Sequence, residues 1–292
     1  MKHLWLWAIS AALLGAQASA QDFDGVEIRS EEIAPGVAVL FGAGGNIAVS
    51  HGEDATLMVD DQFAPLSDRI ESAVADLGAS PVKYVVNTHW HYDHTGGNEH
   101  FGRTGATIFA HDNVRVRMIE GGTVAGRAIA PAERHALPVV TYPHGLAFHL
   151  NGDTIDIVYM GGGHTDGDSV VIWQEANVIH MGDLHLNIRS FPFADHESGG
   201  DVRDMIDTLD AVIAMIDDET RVIPGHGPMS NRGELIAYRA MIAESVARVE
   251  ALRAQGHDLA EAVAAAPLAD MDRDGGFVSG DAFVEAIWHS QR

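Results

Sequence analysis

Three histidines and an aspartate fall within six residues in the stretch Asn87-Thr88-His89-Trp90-His91-Tyr92-Asp93-His94-Thr95-Gly96-Gly97-Asn98. Imidazole nitrogens and a carboxylate at this density form the donor set of a transition-metal site. They suit zinc, and iron or manganese less exclusively. The apolar run Val82-Lys83-Tyr84-Val85-Val86 reads as a buried strand leading into the stretch, and Thr95-Gly96-Gly97 as a sharp turn out of it. In an extended segment, residues two apart point the same way. His89 and His91 can therefore reach one ion together, while Asp93 and His94, where the chain begins to turn, can face a second. The chain carries 17 histidines, so a lone pair would mean little. His-x-His-x-Asp-His at a strand end, followed by two glycines, is far more specific.

This stretch resembles the signature of the metallo-β-lactamase superfamily. Later pieces match that family in order. Gly161-Gly162-Gly163-His164-Thr165-Asp166-Gly167-Asp168 resembles its second histidine motif, His180-Met181-Gly182-Asp183 its bridging-aspartate motif, and Pro224-Gly225-His226-Gly227 its last histidine motif. The resemblance implies an αββα sandwich, two mixed sheets face to face with helices outside; spacing alone gives mixed α/β. It also implies two zinc ions. His89, His91 and His164 would hold the first, Asp93, His94 and His226 the second, and Asp183 would bridge them. Asp93 would double as a proton shuttle.

The chemistry implied is hydrolysis, with a metal-bound hydroxide attacking the carbonyl of a β-lactam, lactone, ester or thioester. β-Lactamases of this family generally carry cysteine or serine where this chain has Asp183, and many have a lysine where Leu186 stands. Asp183 resembles instead the glyoxalase II type of thioester hydrolase, lactonases and other general hydrolases. A di-iron oxidoreductase and a non-catalytic metal-binding protein are the remaining alternatives. Downstream of Asp183, Asn187 and Arg189 are candidates for contacting substrate. Asp60, at a strand end, either accepts a hydrogen bond from a ligand imidazole or begins a turn. His180, His185 and His196 receive no role, and Trp90 and Tyr92 either line the mouth of the site or pack beneath it.

Composition narrows the setting. Lys2 and His3 precede an apolar run from Leu4 to Ala16, and Ala18-Ser19-Ala20 has the form of a cleavage site. Residues 1–20 read as a secretory signal peptide. The expected product is residues 21–292, one periplasmic domain without a stable membrane anchor. With 18 basic against 42 acidic residues, the net charge of −24 repels nucleic acid, so a small carbonyl compound is the expected partner. The absence of cysteine excludes disulfides and thiolate ligands.

The elements that must position these residues read as follows. Strands are expected at 37–41, 46–50, 56–60, 107–110, 169–173, 178–181 and 221–223. A hairpin joins 148–150 to 155–159 through Asn151-Gly152, and helices cover 65–77, 113–119, 201–216, 234–252 and 282–288. Gly42-Ala43-Gly44-Gly45 reads as a hairpin turn, since the Lys-Ser/Thr ending of a phosphate loop is missing. Residues 121–135 show weak periodicity and read as a mobile segment bordering the site. Asp270-Met271-Asp272-Arg273-Asp274-Gly275 begins like a calcium loop, but Asp281 occupies the twelfth position where a bidentate glutamate belongs. We read it as a turn before a helix.

Overall fold

The computed structural model describes residues 22–271 and 276–290. The signal-peptide reading of 1–20, and the Asp272 to Gly275 part of the acidic loop, lie outside the described residues.

Strands β1 (Arg29–Ala34), β2 (Val37–Phe41), β3 (Ile47–Ser50), β4 (Thr56–Val59), β5 (Val82–Val86) and β6 (Thr107–His111) build the first sheet in sequence order. A hairpin of β7 (Gly122–Val124) and β8 (Arg127–Ile129) stands apart, and β9 (Val140–Tyr142) closes the first sheet beside β6. The second sheet runs in order through β10 (Gly145–Leu150), β11 (Asp153–Tyr159), β12 (Ser169–Trp173), β13 (Val178–His180), β14 (Arg221–Ile223) and β15 (Ser230–Asn231). The helices are α1 (Ser67–Asp76), α2 (Tyr92–Thr95), α3 (Asn98–Thr104), α4 (Asp112–Glu120), α5 (Val202–Met215), α6 (Arg232–Ala254), α7 (Leu259–Ala264) and α8 (Gly280–His289).

The period-2 pattern of the strands explains the layering, because both faces of each sheet are apolar. Val37, Val39, Leu57 and Val59 point inward and meet Ile155, Ile157, Val171 and Trp173 of the other sheet. Their neighbours Leu40, Val49, Met58 and Val85 point outward, against Leu66, Ile70 and Val74 of the α1 region. On the far side, Val170, Ile179 and Val222 pack on Met205 and Leu209 of α5, Ile242 of α6 and Phe283 of α8. The result is an αββα sandwich. Each of these fully buried aliphatic side chains contributes about 1.5–3 kcal/mol.

Parallel pairing occurs at β4–β5, β5–β6, β6–β9 and β13–β14. A helix intervenes in sequence at each of these connections, as parallel neighbours require. The chain segments that follow β4, β5, β13 and β14 carry Asp60, His89 to His94, Asp183 and His226. The site therefore sits where parallel strands end and loops can converge.

Several expectations are revised. The strand before the histidine stretch stops at Val86, and the chain bends at Thr88 and His89 before α2 begins. Asn87 and Asn98 exchange side-chain hydrogen bonds at 2.8 and 3.0 Å, and Asp60 Oδ1 accepts from the Thr88 amide at 2.8 Å. These bonds draw the backbone out of the ladder, so His89 and His91 are not successive residues of one face of a strand. Asp93 and His94 lie on the single turn of α2.

Residues 121–135 hold the β7–β8 hairpin and a short 3-10 turn at Arg134–Ala136. Their weak periodicity reflects three-residue strands in which Val124 alone is fully buried. The Asn151-Gly152 hairpin appears as expected, with both residues at positive φ (56° and 79°), as a tight two-residue turn requires. Helix α7, unforeseen, starts at a reciprocal capping box between Asp258 and Glu261. Asp270 spends both carboxylate oxygens on Arg248. Among the described residues, no helix is long and apolar enough to cross a membrane.

Candidate metal centre

Two groups of side chains converge between the sheet ends. His89, His91, His164 and Asp183 form one, and Asp93, His94 and His226 the other; within each group the potential ligand atoms lie within 4.8 Å of one another. All seven were candidates on sequence, and the fold brings them together from four separate loops.

Each loop has a local reason for its shape. Gly161, Gly162 and Gly163 all take positive φ, a run that side chains would oppose. Asp168 then accepts from the amides of His164 (2.7 Å) and Thr165 (2.9 Å) and from the Thr165 hydroxyl (2.6 Å), locking the turn that presents His164. On the other side, Asn46 donates from Nδ2 to the carbonyls of Pro224 and Gly227 at 2.9 and 2.8 Å, clamping the His226 loop. Gly225 in that loop has no room for a side chain, because a Cβ would collide with Asp183 Oδ1.

The hydrogen bonds decide which ring nitrogens face inward. Thr88 Oγ1 donates to Asp60 Oδ2 at 2.8 Å, so its lone pair accepts from His89 Nδ1 at 3.0 Å. His91 donates from Nε2 to Asp195 Oδ2 at 2.9 Å, and His164 from Nδ1 to the Phe193 carbonyl at 2.6 Å. The remaining nitrogens are lone-pair acceptors aimed at one another. His164 Nε2 lies 2.9 Å from His91 Nδ1, and His89 Nε2 is buried without a hydrogen-bond partner. Three buried lone pairs directed at one point, with no proton among them, call for a cation.

The second group is arranged differently. His94 donates from Nδ1 to Asp60 Oδ2 at 2.8 Å. Its Nε2 faces Asp183 Oδ1 at 3.2 Å and His226 Nε2 at 3.3 Å. His226 Nε2 also lies 3.3 Å from Asp93 Oδ2 and 3.5 Å from Asp183 Oδ1. Asp183 turns its other oxygen, Oδ2, toward His164 Nε2 at 3.7 Å. Its two oxygens thus face different groups, and Oδ1 is buried without a hydrogen-bond donor.

Electrostatics separates the groups further. Burial, helped by His94, His164 and His91, holds His89 well below the usual imidazole range, and burial beside His91 brings His164 down to about 4. Burial also opposes charge on His94 and His226, but carboxylates overcome it. Asp183, Asp93 and Asp60 raise His94 well above its ordinary value, and Asp183 and Asp93 lift His226 to about 9. Burial disfavours the Asp183 anion, yet His226 and His94 hold its carboxyl well below the ordinary range.

The residues around the groups sort as follows. Asp60 is a hydrogen-bond acceptor serving both, through Thr88 and His94. Tyr92 lines a cleft of about 270 Å³ over the site, walled by Val124, Leu186, Ile188, Phe193 and Phe277. Trp90 packs beneath it, donating from Nε1 to Ser198 Oγ at 2.9 Å. Asn187 faces away from that cleft. Its Nδ2 donates to the carbonyls of Pro228 and Met229, bracing the loop beyond His226. Arg189 is exposed and does not line the cleft. His180 donates to the Asn46 carbonyl, His185 to Ser230 and His196 to the Ala286 carbonyl, all bonds that hold the scaffold.

The sequence reading missed Asp195 and Thr88, which back two of the buried imidazoles. Asp195 had one usable signal. It closes the apolar run Phe191-Pro192-Phe193-Ala194, where a carboxylate is rarely buried unless it has a partner.

Comparison with known proteins agrees with this geometry. Residues 42–227 match the family model of the metallo-beta-lactamase superfamily. A metallo-beta-lactamase type 2 from Bacteroides fragilis is 26% identical over 200 residues, covering 68% of this chain and 74% of that protein. A hydroxyacylglutathione hydrolase from Polaromonas sp. is 28% identical over 170 residues, 57% of each chain. Among solved structures, a metallo-beta-lactamase from Pontibacter korlensis shares the fold with a TM-score of 0.62 at 18% identity, over 74% of this chain and 99% of that one. A sec-alkylsulfatase from Pseudomonas sp. does so with a TM-score of 0.69 at 15% identity, over 89% of this chain and 50% of that one.

Proposed function

The chain belongs to the metallo-beta-lactamase superfamily, and from that premise we propose that it is an exported dinuclear zinc hydrolase acting on a small carbonyl compound. The observation that carries this reading is the set of proton-free nitrogens. His89 Nε2, His91 Nδ1 and His164 Nε2 converge with their other ring nitrogens already committed. These three would hold the first ion, Asp93, His94 and His226 the second, and Asp183 would span both through its two oxygens. Imidazole with carboxylate, and no thiolate, fits zinc, with iron or manganese less exclusive fits.

Bound ions would supply an acidified water and polarise the substrate carbonyl. The chain's own residues do the rest. Asp183 would offset part of the positive charge of bound ions. Asp93 lines the cleft, so its carboxylate can take up a proton from the attacking water and return it to the leaving group. Leu186, Ile188, Phe193 and Phe277 form an apolar wall that excludes water and receives the acyl portion.

The substrate class is an ester, thioester, lactone or lactam. A carboxylate at position 183, with Leu186 where a lysine would meet a drug's carboxylate, favours the thioester and ester end of that range. The relatives named above include both a lactamase and a thioester hydrolase. The N-terminal pattern of residues 1–20 supports export to the periplasm.

Elemental analysis of protein prepared without chelator is expected to give two zinc ions per chain. Turnover on a panel of esters, thioesters, lactones and lactams should be abolished by chelator and restored by zinc. A content of one ion, unchanged by added zinc, overturns the dinuclear reading. Two bound ions with no turnover anywhere in the panel overturns the hydrolase reading.

A further inference from the structure

The lining of the cleft contains no lysine or arginine. A cation nevertheless stands beside it. The β7–β8 hairpin turns through Ala125 and Gly126, both at positive φ (49° and 77°), so that Arg127 pairs with Val124 across the strands. Val124 is buried against the cluster around Trp90 and also lines the cleft, which fixes the hairpin over the His91 side of the site. The guanidinium of Arg127 lies 4.5 Å from the centroid of the Tyr92 ring. Tyr92 in turn lines the cleft between the two candidate ligands His91 and Asp93, with Phe63 at 5.8 Å supporting it.

The charge on Arg127 is uncommitted. In this acidic chain Arg103, Arg117, Arg203, Arg239 and Arg248 each hold a carboxylate. Arg127 is exposed and forms no ion pair among the described residues. A guanidinium held over an aromatic ring keeps its charge and can still turn N–H donors toward a second group. Those donors can grip a carboxylate with two parallel hydrogen bonds. Arg189, a candidate on sequence, is exposed and does not line the cleft.

We propose that Arg127, held over the Tyr92 ring, is the anion anchor of the cleft and selects acyl substrates that carry a carboxylate over neutral ones. The assignment rests on the hydrolase reading above for its substrate, but not for its binding chemistry. Arg127 is a specificity residue and touches no reacting atom.

The test uses the zinc-loaded protein and two esters of equal chain length, mono-4-nitrophenyl adipate and 4-nitrophenyl hexanoate. The readout is the ratio of their kcat/KM values. Arg127→Gln should lower that ratio by about 5- to 10-fold, chiefly through KM for the adipate, and Arg127→Lys by less, since charge persists without the planar fork. High salt should compress the wild-type ratio. In parallel, titration calorimetry compares adipic acid monoamide with hexanamide, which need no turnover. Arg127→Gln should remove the preference for the monoamide. A ratio and a binding preference unchanged by Arg127→Gln, or shifted by Arg189→Gln instead, overturn the proposal. If neither ester is hydrolysed, the calorimetry alone decides the anchor, and the wider substrate panel decides the hydrolase reading.

Discussion

The two halves of the metal centre are built to different standards. His89, His91 and His164 are fully buried, and each has its outer nitrogen bonded to protein: Thr88, Asp195 and the Phe193 carbonyl. In the other half, the side chains of Asp93 and His226 are 23% and 24% exposed, and His94 alone has a buried acceptor behind it, Asp60. One half is finished before any ion arrives. The other is open to the cleft and held by attraction between carboxylates and imidazoles. This difference assigns tasks. A rigid, desolvated set of neutral donors suits a tightly held ion, while an open, charged set suits one that exchanges water and substrate.

Asp183 joins the halves, so its replacement should have the largest effect. Asp183→Asn keeps the shape and removes the charge. Asp183 is buried, and its two oxygens face opposite groups. The second ion should be lost or weakened first, because three histidines still hold the first. Hydrolysis should fall by about 10²-fold or more, in the range lost with an electrostatic catalytic group. Zinc content and turnover measured together decide it. Two tightly held ions with near-normal turnover would mean that Asp183 does not bridge.

Asp195→Ala tests whether the buried half owes its order to outer partners. It leaves His91 Nε2 without its acceptor and frees Ser198, which also donates to Asp195. Zinc affinity of the first site should drop by about 10- to 100-fold, the usual cost of losing such a partner. Competition with a chromogenic chelator measures it. A loss confined to the second ion would reverse the comparison.

How far these roles were readable in the sequence follows from the same contrast. The converging residues are held in short local motifs, so their types and spacing stood out in one dimension. Their backing groups are not local. Asp195 reaches His91 across more than a hundred positions, and Asp60 reaches Thr88 and His94 from the end of another strand. No periodicity encodes such pairs. The strands were likewise readable where they form mainly apolar runs of four or five residues, as in β2 to β4, while the sandwich itself followed only from the resemblance. They were not readable in β7, β8, β9 and β15, whose two or three residues are held by their neighbours rather than by propensity. Arg189 was chosen on charge and proximity to Asp183, but side-chain direction, invisible in sequence, places it outside the cleft.

Proton coupling sharpens the contrast next. In the metal-free protein His164 titrates near 4, below the ordinary imidazole value of about 6.5. The unfolded chain therefore takes up a proton that the folded chain refuses, and this contribution lowers stability as pH falls from about 6.5 toward 4. His226 is raised to about 9. Its contribution is fully present below about 6.5 and is lost as pH rises through 9. Thermal melts of chelator-treated protein should therefore weaken on both sides of neutrality. Zinc binding at the second site must displace protons, so its affinity should rise between pH 6 and 8 while that of the first site stays nearly flat. Equal pH slopes for the two ions would remove the electrostatic distinction between the halves.

The smallest effect is expected at Thr88, and it tests a hydrogen-bond relay that connects the halves behind the ligands. The Thr88 hydroxyl donates to Asp60 Oδ2 and accepts a hydrogen bond from His89 Nδ1, while His94 donates to that same Asp60 oxygen. Thr88→Val keeps the volume and the backbone amide that bonds Asp60 Oδ1. It deletes the hydroxyl alone. His89 Nδ1 then loses its acceptor in a buried place, at a cost of about 1 kcal/mol or somewhat more. Asp60 loses one of three donors but keeps His94, so the second half should be nearly untouched. First-site zinc affinity should therefore weaken by about 5- to 10-fold, with second-site affinity within about 2-fold of wild type. Sequential zinc titration resolves the two sites. If both weaken equally, Asp60 and Thr88 act as one rigid unit, and the halves are less independent than their burial implies. If neither moves, the His89 orientation is set by packing against His91, His94 and His164, whose ring centroids lie 4.2 to 4.7 Å away.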